Sequence, residues 1–422
     1  MTDLISKKIR GFRDILPDEC KKFLFLEKSI HMIVPSFDIN QIKIPVLESE
    51  NLFKRSIGEQ SDIVTKEMYA FTDKNNEVVC MIPEGTASCV RLALENNLIY
   101  DRGIKKNRFY YIAPMFRHER PQKGRYRQFN QFGVEFFGET SFLEDIDLLV
   151  LCEKLFKTIN LSDVELSINT IGSANDRKKY SQDLQAYFLK NSKNLTDQQK
   201  TTVSINPMRL LDSKDTSLTN IIASAPNISD YLNKESLINF DKIQSTLSDL
   251  NIPYRHDQKL VRGLDYYNDL VFEWKTEKLG TQDAICAGGR YDGLSKAIGG
   301  QDVPSVGFAM GIDRIVQLLN YRCDDIIIGL SFILDNMDQE YKIINKIRDN
   351  IGYSRLKVMD RDKSLSKQIK QAVKNECDLL IIVGEDEISN NTVTIKHLKN
   401  ENTDEIVHLD KLKNFIDGYA YK

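Results

Sequence analysis

The stretch Arg117–Arg127, RHERPQKGRYR, carries five cationic residues and one carboxylate, Glu119. Pro121 and Gly124 interrupt it, so it reads as a loop projecting between two strand-forming runs, Phe109–Ile112 and Phe129–Phe137. A basic loop held between paired strands can grip polyphosphate, because an arginine fork binds phosphate oxygens in pairs and keeps its charge. A basic hairpin on a solvated face would show the same charge. Two features argue against that alternative. Gln131, Gly133 and Glu135 recur with period two and share one strand face. Glu135 also lies among Val134, Phe136 and Phe137, where a carboxylate needs a partner that a cationic or donor-rich ligand would supply.

Further polar residues stand at element ends. Pro83-Glu84-Gly85-Thr86 precedes a run with helical apolar spacing, so Glu84 and Thr86 either cap that helix or present a carboxylate and a hydroxyl to a ligand amine. Arg262 and Tyr267 are polar groups in the sheet-like run LVRGLDYYNDLVFE. Paired glycines in ICAGGRYDGL let backbone approach a ligand closely. Arg314 falls near the start of a helix that follows a strand in VGFAMGIDRIVQLL. The sequence shows no Ser-His-Asp or Cys-His set. The residues alone suggest fixed cations that grip a polyphosphate.

The elements that must position these groups follow in order. Gly11–Pro17 reads as an extended lead-in, with Asp18 as N-cap of a helix toward Met32. Ile42, Ile44 and Val46 alternate as a strand broken by Pro45. Ser56–Tyr69 reads as a mobile loop and Phe71–Met81 as a hairpin turning at Lys74–Asn76. A helix over Glu144–Asn160 and a strand over Leu166–Ile171 precede a polar, helix-rich insertion from about 172 to 258. Beyond Asp325, strands and helices alternate, which predicts a separate α/β domain with a largely parallel sheet and a core of Ile327, Leu330, Ile381 and Ile382.

A chain of 422 residues needs more than one core. Its 41% hydrophobic and 28% charged residues are ordinary for a soluble globular protein, and a net charge of -3 gives no global pull toward nucleic acid. Seven scattered cysteines without zinc-site spacing read as reduced thiols of a cytosolic protein. No apolar run suggests a signal peptide or a membrane span, so no membrane partner and no metal site are expected.

Together these stretches resemble the class II aminoacyl-tRNA synthetases, and among them the histidyl-tRNA synthetase family. IPVLE is similar to the first class motif, FRHERPQKGRYRQF to the second and GFAMGIDRI to the third, while LVRGLDYYN and AGGRYDGL resemble the two signatures of the histidine enzymes. The resemblance implies an α+β catalytic domain, residues 1–325, with an antiparallel sheet flanked by helices and the helical insertion. It implies a C-terminal α/β anticodon-binding domain, residues 326–422. It implies a cytoplasmic homodimer that uses ATP with Mg2+ to join L-histidine to histidine tRNA. Arg117 would hold the ATP α-phosphate, Arg125 and Arg314 the γ-phosphate end, and Phe129 the adenine, with Glu119 also at the nucleotide. Glu84, Gly85, Thr86 and Gln131 would surround the histidine amino group. Glu135 and Tyr267 would read the imidazole, with Tyr266 and Tyr291 walling the pocket. Arg262 would steady the α-phosphate during attack by the histidine carboxylate. Arg120, Gln122 and Lys123 would meet the tRNA acceptor end. Ile82 stands where the family commonly has Arg, and Asn130 where it often has His. A non-catalytic histidine or tRNA sensor is the alternative that such a chain can also serve.

Overall fold

The computed structural model describes residues 7–420 apart from 101–102, 104, 123, 139–140, 214, 281–282, 322–325, 335–339, 353 and 400–402. The chain divides into two compact units, one ending at Asn320 and one beginning at Tyr321. The expected boundary at Asp325 falls outside the described residues.

The strands of the first unit are β1 (Asn40–Gln41), β2 (Leu47–Ser49), β3 (Ala70–Thr72), β4 (Val78–Met81), β5 (Asn107–Phe116), β6 (Gln128–Phe137), β7 (Glu165–Thr170), β8 (Tyr254–His256), β9 (Asn268–Lys275), β10 (Ala284–Arg290) and β11 (Ser305–Gly311). Eight form one sheet in the order β1-β5-β6-β11-β10-β9-β7-β8, and β2-β4-β3 form a smaller one. The middle of the large sheet is antiparallel, as expected, while its edge pairs β1–β5 and β7–β8 are parallel. β5 and β6 pair over their whole length, from Asn107 opposite Phe137 to Phe116 opposite Gln128. Alternation sorts β6 into two faces. Phe132, Val134 and Phe136 share the face opposite to Gln131, Gly133 and Glu135, and Phe132 meets Phe308 of β11 edge-on at 5.5 Å.

Several local expectations change. Leu16, not Asp18, occupies the cap position of the helix Pro17–Ile33. Pro17 suits the first helical position because its missing N–H would go unused there, and Asp18 lies in the first turn, favourable to the helix dipole. Ile42–Val46 is not a strand. Pro45 has no amide to give a ladder, so the segment spans between the two sheets, tied by Ile42 N to Tyr110 O and by Ile82 N to Val46 O. Ile82 is fully buried, so no cation could stand there unpaired. Ser56–Tyr69 is not a loop throughout: Ser56 and Ile57 close the helix Glu50–Ile57, and Ile63–Glu67 forms a π-helical turn. Within the span 172–258, one helix and one strand pack on the large sheet and its flanking helix. Helix Lys234–Asp249 buries Phe240, Ile243 and Leu247 and packs on helix Phe142–Thr158, and β8 is an edge strand of the large sheet.

In the second unit β12 (Ile327–Ile333), β13 (Arg355–Val358), β14 (Leu379–Gly384), β15 (Thr392–His397) and β16 (Glu405–His408) order as β13-β12-β14-β15-β16. Only the first three are parallel; β15 and β16 run antiparallel. There are two cores rather than one, since successive residues of a strand face opposite ways. Leu330 and Ile381 pack with the helices Glu340–Asn350 and Leu412–Ala420, while Ile382, with Ile327 partly buried, packs beside Ala372 of helix Leu365–Lys374. Among the described residues no helix is long and apolar enough to cross a membrane.

Candidate active site

The face of β6 that carries Gln131, Gly133 and Glu135 is flanked by small residues: Gly311, Ala309 and Gly307 lie opposite them on β11, and Ala287 and Gly289 next on β10. The result is a concave floor, over which lies a cavity of about 370 Å³. Two close approaches demand glycine. A Cβ on Gly133 would lie 2.1 Å from Tyr111 Cζ, and one on Gly307 would lie 2.0 Å from Glu135 Oε2. Tyr111 therefore crosses the floor, and Gly85 makes room for the same ring. Sequence reasoning took Tyr111 only as a strand former; its signal was the pair of glycines that face it.

The buried carboxylates Glu84 and Glu135 both find partners within the chain. Glu84 accepts from the amides of Thr86 and Ala87 at 2.8 and 2.9 Å, so it caps helix Thr86–Glu95 while also lining the cavity. Glu135 is fully buried and accepts from the hydroxyls of Thr86 at 2.7 Å, Tyr111 at 3.3 Å and Tyr291. The expectation that only a ligand could satisfy Glu135 is thus corrected, because three hydroxyls do so. Burial pushes its carboxyl up to about 8, and the hydroxyls of Tyr291 and Thr86 oppose that shift. Gln131 contrasts with it: its Oε1 is buried and has no hydrogen-bond partner among the described residues.

Four arginines line the cavity: Arg117, Arg125, Arg262 and Arg314. Arg117 donates to Pro83 O at 2.7 Å and lies over Phe129, 5.6 Å from the ring centroid. Arg125 pairs with Glu119, Arg262 with Glu273, and Arg314 donates to Ala284 O. Burial draws the pKa of Arg117 and Arg314 down; for Arg262 burial also lowers it, but the charges of Glu273, Tyr267, Asp212 and Tyr266 together raise it. Tyr266 and Tyr267 line the same space, with ring centroids 4.7 Å apart, and Tyr266 meets Tyr291 edge-on. Gly85, Glu135 and Tyr291 do not line the open volume. Glu135 and Tyr291 form a hydrogen-bonded layer behind it. Arg120 and Gln122 are exposed at the loop tip, away from the cavity lining, and Lys123 lies outside the described residues.

Residues 11–315 match the family described as Histidyl-tRNA synthetase, and residues 334–418 match the Anticodon binding domain family. The chain belongs to the histidyl-tRNA synthetase family. It is 39% identical to the histidine–tRNA ligase of Francisella philomiragia over 98% of both chains. It is 41% identical to that of a Marinomonas species, covering 92% of this chain and 93% of the relative. Its fold matches the crystal structure of the apo Staphylococcus aureus histidyl-tRNA synthetase, with a TM-score of 0.79 at 29% identity, over 98% of this chain and 100% of that one. The chain is an aminoacyl-tRNA synthetase of histidine–tRNA ligase activity.

The Glu135 carboxyl supplies a pH test. The folded chain keeps a proton that the unfolded chain releases in the ordinary carboxylate range near 4.5. Between there and about 8 this group removes stability as pH rises, by up to about 1.4 kcal/mol per pH unit. Glu135→Gln cannot titrate. Its melting temperature relative to wild type should climb from roughly pH 5 to pH 8 and level off above. A difference that stays flat across that range would show that Glu135 ionises like an ordinary carboxylate.

Proposed function

We propose that this cavity binds ATP and L-histidine together and that its arginines carry the chemistry. The histidine carboxylate attacks the α-phosphorus, the bond to the bridging oxygen breaks, and pyrophosphate leaves. The terminal ribose hydroxyl of histidine tRNA then attacks the histidyl carbonyl and releases AMP. The observation that carries this reading is the gathering of four guanidinium groups, Arg117, Arg125, Arg262 and Arg314, on the lining of one cavity. A polyphosphate offers oxygens enough to engage several such forks at once.

Within that reading Arg117 and Arg262 hold the α-phosphate, Arg125 and Arg314 the γ-phosphate end, and Phe129 the adenine beside Arg117. Arg262, backed by Glu273, steadies the charge that grows on the α-phosphoryl oxygens. Mg2+ enters with the ATP phosphates. Of the carboxylates that line the cavity, Glu119 and Glu273 are paired with arginines. Glu84, Thr86 and Gln131 receive the histidine α-ammonium, and the unpaired Oε1 of Gln131 is an acceptor suited to it. Tyr267 and the Glu135 layer read the imidazole, with Gly85 setting the depth and Tyr266 and Tyr291 the walls. The exposed Arg120 and Gln122, with Lys123, meet the acceptor end. Residues 326–422 grip the anticodon arm. The partner is a second copy. Leu47, Phe71, Val79 and Met81 share one face of the small sheet, and Leu47 and Phe71 are 44% and 47% exposed there. Free, mostly buried thiols suit the reducing cytoplasm.

Arg262→Ala should slow single-turnover formation of histidyl-adenylate by roughly 10² or more, the scale of one lost transition-state donor. An unchanged rate would remove Arg262 from the chemistry. A chain ending at Asn320 should sediment as a dimer, keep most histidine-dependent exchange of pyrophosphate into ATP, and bind tRNA more weakly, with a smaller salt dependence. A monomer would contradict the pairing face. Lost exchange with unaltered tRNA affinity would contradict the division of labour.

A further inference from the structure

Arg13 belongs to the N-terminal lead-in and does not line the cavity. Its Nη2 donates to Asp313 Oδ1 at 2.6 Å, and its Nη1 to Glu19 Oε1 at 2.5 Å. Asp313 is only 2% exposed. Its other oxygen accepts from the backbone amide of Asn130 at 2.6 Å and from Asn130 Nδ2 at 3.3 Å. Asn130 directly follows Phe129 at the start of β6, and Asp313 directly precedes Arg314 in the helix Ile312–Leu318. One buried carboxylate therefore joins the two chain segments that carry the aromatic platform and the third-motif arginine. Arg13 is its cation.

The same segment grips the basic loop. The Arg13 guanidinium lies 4.3 Å from the centroid of Tyr126, whose hydroxyl accepts from Gln317 of helix Ile312–Leu318 at 3.3 Å. Arg127 donates its backbone amide to Gly11 O at 2.9 Å and its Nη1 to Arg10 O at 3.2 Å. Residues 10–13 thus touch the end of the loop directly, and reach the start of β6 through Asp313. The Asp313 bond runs across 300 residues of sequence. A planar fork with two acceptors, Asp313 and Glu19, fixes a direction as well as a charge, which a lysine would not do.

We propose that Arg13 is a positioning residue for the nucleotide: through Asp313 it sets the spacing between Phe129 and Arg314, so that adenine and the γ-phosphate end are held at matched distances. The inference rests on the assignment of those two groups to ATP. It predicts an effect confined to one substrate. Arg13 reaches the histidine groups Glu84, Thr86 and Tyr267 by no contact of its own.

The test is pyrophosphate exchange with the full-length protein, reading KM for ATP and for histidine separately. Arg13→Lys keeps the charge and loses the fork. It should raise the ATP KM roughly tenfold or more while the histidine KM stays within about twofold. Arg13→Ala leaves Asp313 buried without its cation. If that variant does not fold, the paired change Arg13→Met with Asp313→Asn removes both charges and should show the same ATP-selective rise. In a Phe129→Leu background the Arg13→Lys effect should shrink, because both changes act on one platform. Equal rises in both KM values, or a lower melting temperature with both KM values unchanged, would make Arg13 a structural residue only and overturn the proposal. If Phe129→Leu and Arg314→Ala leave the ATP KM unchanged, the underlying assignment fails. If they raise it and Arg13→Lys does not, only this inference fails.

Discussion

Four guanidinium groups share one cavity, and the fold must hold them there before any anion arrives. Each has a partner in the fold: Arg117 the Pro83 carbonyl and, at 3.8 Å, Glu119; Arg314 the Ala284 carbonyl; Arg125 Glu119; and Arg262 Glu273. Carbonyl partners orient a fork without neutralising it. Four cations on one lining suit a polyanion. In the reading proposed above, charge developing on phosphoryl oxygens would meet donors already in place, with little reorganisation during reaction.

The second constraint is depth. Antiparallel strands carrying glycine and alanine at matched positions lower the sheet surface where a ligand must lie, and glycines admit the Tyr111 ring and the Glu135 carboxylate below it. Glu135 is held by three hydroxyls rather than by a charge. A hydroxyl-bonded carboxyl can take or give a proton as its neighbour requires. In the proposed reading it would support, from behind the cavity lining, recognition of a ring that has one donor and one acceptor nitrogen. A site that satisfies both nitrogens discriminates against side chains that leave its polar groups unpaired.

Much of this was legible in the sequence because it is local. The hairpin of β5 and β6 shows in its aromatic alternation, and Pro121 and Gly124 mark where pairing stops. The helix that carries Arg314 and the strand before it show in a change of period from two to 3.6. What was hidden depends on distant partners. Asp313 gains its meaning from Arg13 and Asn130, and Glu135 from hydroxyls on three distant segments. β8 is short and polar, and only its pairing with β7 makes it a strand. The extended run Ile42–Val46 alternates correctly, yet Pro45 denies it a ladder. Residue types near the arginines indicated the chemistry, while the distances between segments set which groups line the cavity and which support it.

The most direct test of the account is amino-acid-dependent exchange of labelled pyrophosphate into ATP, run with the full-length protein against each of the standard amino acids in turn. The account predicts exchange with histidine and none above background with the others or without amino acid. Exchange supported equally by a different amino acid, or none with histidine while ATP still binds, would contradict it.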